Sequence, residues 1–149
     1  NKIKKKNILY ARVSTKNQKD DLDRQVDNLK QYAYSKGYSF EIITDIGSGI
    51  NYIKEGLLKM INLVECGEVD RIIVLYKDRL IRFGYDLIEY ICKLNDTKIE
   101  IVDNSTISKE QELTEDLIQI VTVFANKLYG ARSKKTINLI KSVKENADR

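Results

Sequence analysis

Arg12 and Ser14 stand two residues apart at the end of a short apolar run, Asn7 to Val13, and Asp78-Arg79-Leu80-Ile81-Arg82 follows a second such run. One hydroxyl, three guanidinium groups and a carboxylate at the ends of two predicted strands form a set suited to attacking a phosphodiester. A serine is a weak nucleophile at its free pKa and needs activation. A phosphorane-like transition state gathers charge on its equatorial oxygens, which the planar fork of arginine meets better than the point charge of lysine. Strand alternation puts Arg12 and Ser14 on one face. Arg79 and Arg82, three apart at a predicted helix start, would share a helical face and clamp the remaining oxygens. Asp78 either orients these arginines or helps to move a proton; we favour orientation, because a carboxylate among arginines accepts protons poorly, which leaves the general base unidentified. Taken alone, the pattern fits as well a strand with a chance Arg and Ser, and an Asp78 helix cap followed by a surface cation.

The elements that must position these residues alternate. We read strands at about 7–13, 39–45, 71–76 and 99–102, with helices at about 18–36 (ending at Gly37), 55–66 (closing at Cys66-Gly67) and 84–94. A loop from Ile46 to Lys54 precedes the second helix, and a polar segment precedes a long last helix from about Thr114 to near the end. Strands alternating with helices predict an α/β fold, a three-layer α/β/α sandwich with a largely parallel sheet of four or five strands. In such sheets ligands bind at the carboxyl ends of the strands. The 149 residues suffice for one domain, divided into an α/β core over about 1–112 and the long helix over about 113–146. On that helix Leu117, Ile118, Ile120, Val121, Val123, Phe124, Ala125 and Leu128 surround most of the circumference, where a stripe would satisfy a single core. Such breadth implies either a second partner, with Leu117, Val121, Phe124 and Leu128 at the interface, or a buried central helix. Beyond Gly130 the pattern turns polar, as expected of a helix that projects from the domain.

Lys and Arg number 26 against 22 Asp and Glu, and the excess is concentrated at the two ends. Lys2, Lys4, Lys5, Lys6, Arg12 and Lys16 lie near the start with no acid among them, and Arg132, Lys134, Lys135, Lys141, Lys144 and Arg149 near the end. A polyanion would be drawn to both. Cys66 and Cys92 are far apart, lack metal-site spacing and fall on helical apolar positions, so both read as core residues of a protein in a reducing cytoplasm. The chain has no histidine, which disfavours Ser-His-Asp hydrolases and His-based metal sites. No apolar run approaches the ~18 residues of a membrane span, and no signal-peptide pattern is present. Asn1 in place of an initiator methionine leads us to expect a further segment upstream.

Tyr10-x-Arg12-Val13-Ser14, Leu22-Asp23-Arg24-Gln25, Gly47-Ser48-Gly49 and Asp78-Arg79-Leu80-x-Arg82 together resemble the serine recombinases, the resolvases and invertases. Ser48-Gly49-Ile50-Asn51, Arg82-Phe83-Gly84 and Leu128-Tyr129-Gly130-Ala131-Arg132-Ser133 are most similar to the serine transposases of small insertion sequences. The resemblance implies a resolvase-like domain in which Ser14 attacks double-stranded DNA, leaving a 5′-phosphoserine and a free 3′-hydroxyl. Strand exchange and rejoining follow without metal, ATP or another cofactor, consistent with the lack of a phosphate-binding Gly-x-x-x-x-Gly-Lys-Ser/Thr loop. It makes Tyr10 and Gln25 supports of the pocket. It also implies that the long helix holds a dimer, and a tetramer in the synaptic complex, before reaching DNA through Arg132, Lys134 and Lys135. No helix-turn-helix pattern occurs in these residues, so target reading would fall to another segment, a MerR-like domain ahead of this one as in the transposases or one that follows it as in the resolvases.

Two departures stand out. Lys54, before Glu55-Gly56-Leu57, occupies a position where the family carries arginine, and Lys127-Leu128-Tyr129 aligns with Ala-Glu-Arg of the resolvases. As a phosphate and DNA ligand Lys54 would work less well than arginine; on that reading Lys54→Arg preserves or raises cleavage. The rival readings are a DNA-binding or regulatory module with weakened catalysis, which Lys54 favours, and a metal-dependent nuclease built on Asp21, Asp23 and Asp78, which the interleaved basic residues disfavour.

Overall fold

A computed structural model describes residues 4–103, 110–130 and 132–147, and the chain separates into two compact units, Asn1–Ile107 and Ser108–Arg149. In the first, strands β1 (Lys6–Val13), β2 (Glu41–Ile46), β3 (Val69–Val74) and β4 (Lys98–Ile101) form one parallel sheet in the order β2-β1-β3-β4. From Ile8 to Val13 every residue of β1 is buried, as a strand covered on both faces requires, whereas the edge strand β2 alternates. Helix α1 (Lys19–Lys36) lays Leu22, Leu29 and Ala33 against Leu9, Ala11, Val13 and Ile73 on one face. On the other, α2 (Glu55–Glu65) and α4 (Tyr85–Leu94) bring Leu57, Met60, Val64, Ile88 and Cys92 to Ile8, Tyr10, Ile43, Ile72 and Val74. The expected three-layer α/β/α fold is present, with four strands.

This order carries the site. After β1 the chain moves to β2 at one edge, then crosses to β3 on the far side of β1 and continues outward to β4. The adjacent carboxyl ends of β1 and β3 therefore form a topological switch point, where open α/β sheets bind ligands. Ser14 follows the first of these ends. A four-residue helix, α3 (Lys77–Leu80), follows the second and holds Asp78 and Arg79.

Three expectations need correction. The last helix is not continuous: α5 (Glu110–Tyr129) stops at Gly130, whose φ of +88° leaves the helical region, and α6 (Lys134–Ala147) starts anew. The two helices pack on each other, and the buried Thr136 hydroxyl donates to the carbonyls of Ala125 and Gly130 across the turn. Glycine there tolerates the left-handed conformation, so the polar change after Gly130 marks a reversal rather than a projecting tail. Arg79 and Arg82 do not share a helical face, because Ile81 is already extended and Arg82 lies beyond α3. Cys66 is exposed at the end of α2, and only Cys92 of the two cysteines is buried.

Gly37 closes α1 at a φ of +70°, with no atom within 4 Å of where a Cβ would stand. Strain alone opposes a side chain there. Gly37→Ala should therefore lower stability by about 1–2 kcal/mol, and Gly37→Asn by less, since asparagine visits this region more readily. For a domain of this size the alanine shift in Tm is about 2–4 °C per kcal/mol, readable by thermal unfolding; equal stability of all three proteins would refute the strain account.

Candidate active site

The main chain at Ser14 is held from the turn that follows it. A single 3-10 turn, Lys16–Gln18, carries Gln18 back so that its Oε1 accepts the backbone N–H groups of Ser14 (3.0 Å) and Thr15 (3.1 Å). The Ser14 Oγ itself is buried and makes no hydrogen bond among the described residues. Native folds rarely leave a buried hydroxyl unpaired, since this costs about 1–3 kcal/mol, so such an atom calls for an explanation other than folding.

Arg12 is wholly buried, and its guanidinium is wired to three backbone carbonyls. Nη1 donates to Gly47 (3.0 Å), Nη2 to Asp78 and Nε to Arg79 (3.3 Å). The backbone of Arg12 is held in turn: Gln25 of α1 accepts its N–H and donates to its carbonyl, which also receives Arg79 Nη1 at 3.0 Å. Strand β3 pairs with β1 only as far as Tyr10, so Gln25 and Arg79 take up the next backbone groups as a longer strand would. Asp78 Oδ2 receives Arg79 Nη2 (3.4 Å) and Arg82 Nη1 (3.2 Å). This carboxylate gathers both arginines, although they leave the backbone from different segments.

The loop after β2 closes the site. Its carbonyls meet donors from three directions: Gly47 from Arg12, Ser48 from Lys54 Nζ (2.8 Å) and Gly49 from the backbone N–H of Arg82 (3.0 Å). The glycines follow from this crowding. A Cβ on Gly47 would lie 2.9 Å from Lys54 Cδ, and one on Gly49 would lie 2.9 Å from Arg82 Cβ and 3.2 Å from Arg12 Nη2.

Beneath the loop lies a contact that sequence reading missed. Asp45, buried at the end of β2, accepts the Tyr10 hydroxyl (2.6 Å) and the N–H groups of Gly56 and Leu57 (2.8 Å each). It thus caps α2 and ties that helix to β1, which gives Tyr10 its supporting place. A Cβ on Gly56 would fall 2.6 Å from Asp45 Oδ1. The available signal was an acid at the end of a predicted strand with a glycine at the next helix start. Gln18 was missed too; it reads as an ordinary polar residue until the turn folds it back.

Among the remaining candidates, Arg132, Lys134 and Lys135 are exposed in the second unit, with Lys135 Nζ 5.3 Å from the Tyr129 ring centre. Leu117, Phe124 and Leu128 are 43%, 65% and 62% exposed, and Val121 is half-buried. Among the described residues no helix is long and apolar enough to cross a membrane.

Residues 7–147 match the family model of the resolvase N-terminal domain. A protein of Acanthamoeba polyphaga mimivirus named "Putative resolvase" is 44% identical over 134 residues, covering 88% of this chain and 68% of that protein. Two further proteins of the same virus and name are covered over 66% of their length, so the chain spans about two thirds of the curated relatives it matches. Among solved structures, the C-terminal catalytic domain of ISC1926 TnpA, an IS607-like serine recombinase, superposes with a TM-score of 0.90 at 45% identity, covering 97% of this chain and 99% of that one. A serine recombinase from Sulfolobus solfataricus gives 0.84 at 45% identity, with 95% and 98% covered.

Burial, reinforced by the bond to the Asp45 carboxylate, holds the Tyr10 phenol well above the ordinary tyrosine range. Unfolded, a tyrosine ionises near pH ~10, whereas folded Tyr10 keeps its proton; stability is intact below that pH and falls above it by about 1.4 kcal/mol per pH unit for this group. Urea unfolding between pH 9 and 11 should show the decline, and Tyr10→Phe should be shallower by one proton, with Tyr85, raised to about 12, keeping part of the slope in both. Equal slopes would mean that Tyr10 ionises in the fold as it does outside it.

Proposed function

The chain belongs to the serine recombinase family of the resolvase N-terminal domain, and on that premise we propose that it cuts and rejoins duplex DNA with Ser14 as the nucleophile. The observation that carries the reading is the buried, unbonded Ser14 Oγ two residues from an arginine web that backbone carbonyls and Asp78 hold in place. Ser14 Oγ forms a bond to phosphorus as the bond to the 3′-oxygen breaks. The serine proton is given up and the 3′-oxygen gains one, so a 5′-phosphoserine and a 3′-hydroxyl result. Attack by a 3′-hydroxyl reverses the step and restores Ser14. The ester conserves the bond energy, so no nucleotide is consumed.

Arg12, Arg79 and Arg82 would stabilise the charge that builds on the phosphoryl oxygens, with Asp78 orienting the last two. Tyr10 and Gln25 act through the backbone they hold. Arg132, Lys134 and Lys135 would meet the DNA backbone, where cations give affinity without sequence reading. The ISC1926 relative is the C-terminal catalytic domain of its protein, which supports placing target recognition ahead of this domain; a helix-turn-helix of MerR type at that place is part of the proposal.

A duplex carrying a nick at the recombination site should trap a covalent protein–DNA adduct in the presence of a chelator, and Ser14→Ala should abolish it. Cleavage that requires Mg²⁺, or an adduct that survives the substitution, would instead favour a metal-dependent nuclease or another nucleophile.

Self-association through α5 belongs to the same proposal. Leu117, Phe124 and Leu128, with Val123 at 59% exposure, place four apolar side chains in water along one helix, the kind of surface that marks an interaction site where it is contiguous. Because Phe124 and Leu128 are exposed in the isolated chain, Phe124→Glu with Leu128→Lys should leave the circular dichroism spectrum intact while shifting sedimentation to a smaller species. A wild-type chain that is monomeric at high micromolar concentration and on DNA alike would remove the interface.

A further inference from the structure

Lys54 has surroundings that differ from those of a phosphate ligand open to solvent. It immediately precedes α2, is 4% exposed, and runs its aliphatic stem along Gly47 so closely that no Cβ fits there. Its ammonium donates to the Ser48 carbonyl at 2.8 Å. The next carbonyl on either side is held by the site itself: Gly47 by Arg12 and Gly49 by the N–H of Arg82. The stem of Lys54 passes the glycine and ends in a compact donor, and the larger planar guanidinium of Lys54→Arg is expected to disturb that fit.

We propose that Lys54 is a positioning residue that latches residues 47–49 so that the Gly47 carbonyl meets Arg12 and the Gly49 carbonyl meets the Arg82 segment. The contribution of Lys54 to cleavage passes through the loop and Arg12, not through charge delivered to the scissile phosphate. This rests on the reading of Ser14 and Arg12 as the reacting pair, and the test separates the two.

The experiment uses the full chain, Lys54→Met and Lys54→Arg, at temperatures where circular dichroism shows all three folded. Single-turnover adduct formation is followed at saturating DNA on two duplexes, one normal and one with a neutral methylphosphonate at the scissile position. Amide hydrogen exchange of residues 47–51 is measured without DNA. A latch predicts that both variants lose ~10²-fold in rate with affinity little changed, since a misplaced transition-state contact costs about this much. It also predicts faster exchange in the loop for both, and no recovery of Lys54→Met on the methylphosphonate. Full activity of Lys54→Arg, together with rescue of Lys54→Met by the neutral phosphonate, would make Lys54 a direct phosphate ligand and overturn the proposal. So would wild-type rates and wild-type exchange in both variants. Absence of any adduct with the unaltered chain would sink the nucleophile instead, while the exchange measurement would still decide whether Lys54 latches the loop.

Discussion

A guanidinium with no access to water must find acceptors for its donors or lose several kcal/mol of hydration, and Arg12 finds them in the backbone. The carbonyls it binds belong to the loop after β2 and to α3 after β3, segments that meet β1 only because the sheet order puts all three strand ends side by side. One side chain therefore sets where the Gly47 loop and the Asp78 segment lie relative to Ser14. Arg79 returns the favour by donating to the Arg12 carbonyl, so strand end and helix each hold the other's main chain. The arrangement leaves little freedom for a catalytic group to drift, which is the condition for electrostatic stabilisation to work without reorganisation.

The rest of the local sequence fits around that knot. Gly47, Gly49 and Gly56 are small because Lys54, Arg82 and Asp45 occupy the space beside them, and none of the three has a positive φ that would demand glycine for its own sake. Polar side chains here act on backbone: the buried Gln25 on Arg12, the half-buried Gln18 on Ser14 and Thr15, the buried Asp45 on Gly56 and Leu57. Within this satisfied network the Ser14 hydroxyl is the buried side-chain atom left without a bond among the described residues. A fold that completes its neighbours' hydrogen bonds and omits this one leaves unencumbered the hydroxyl that we propose as the nucleophile, at a local cost in stability that functional sites commonly carry.

In the second unit, α5 and α6 turn on Gly130 and share the buried Thr136, yet α5 keeps a row of exposed apolar residues. Packing between the two helices accounts for Ala125. It does not cover Phe124 or Leu128, the residues through which we propose that chains associate.

Periodicity and punctuation made the fold class legible in the sequence, because a strand buried on both faces needs an unbroken apolar run and a helix against a sheet needs a stripe. The β1 run and the Gly37 stop follow those rules and fall where expected. Ser14, Arg12, Arg79, Arg82 and Asp78 were legible as candidates, through their residue types at predicted strand ends together with the family resemblance. How they meet was not. That Arg79 and Arg82 reach one carboxylate although α3 ends between them, and that Lys54 folds back to Ser48, depend on the shapes of irregular loops, while the bond that joins Tyr10 to Asp45 spans 35 residues. The Gly130 turn was hidden for a related reason: glycine within a helical pattern is locally tolerable, and only packing of α6 back on α5 decides that it breaks. Residue types and local spacing thus determined the architecture and the chemical ingredients. Tertiary structure decided which donor meets which acceptor, because hydrogen bonds between separate segments have no periodicity to read.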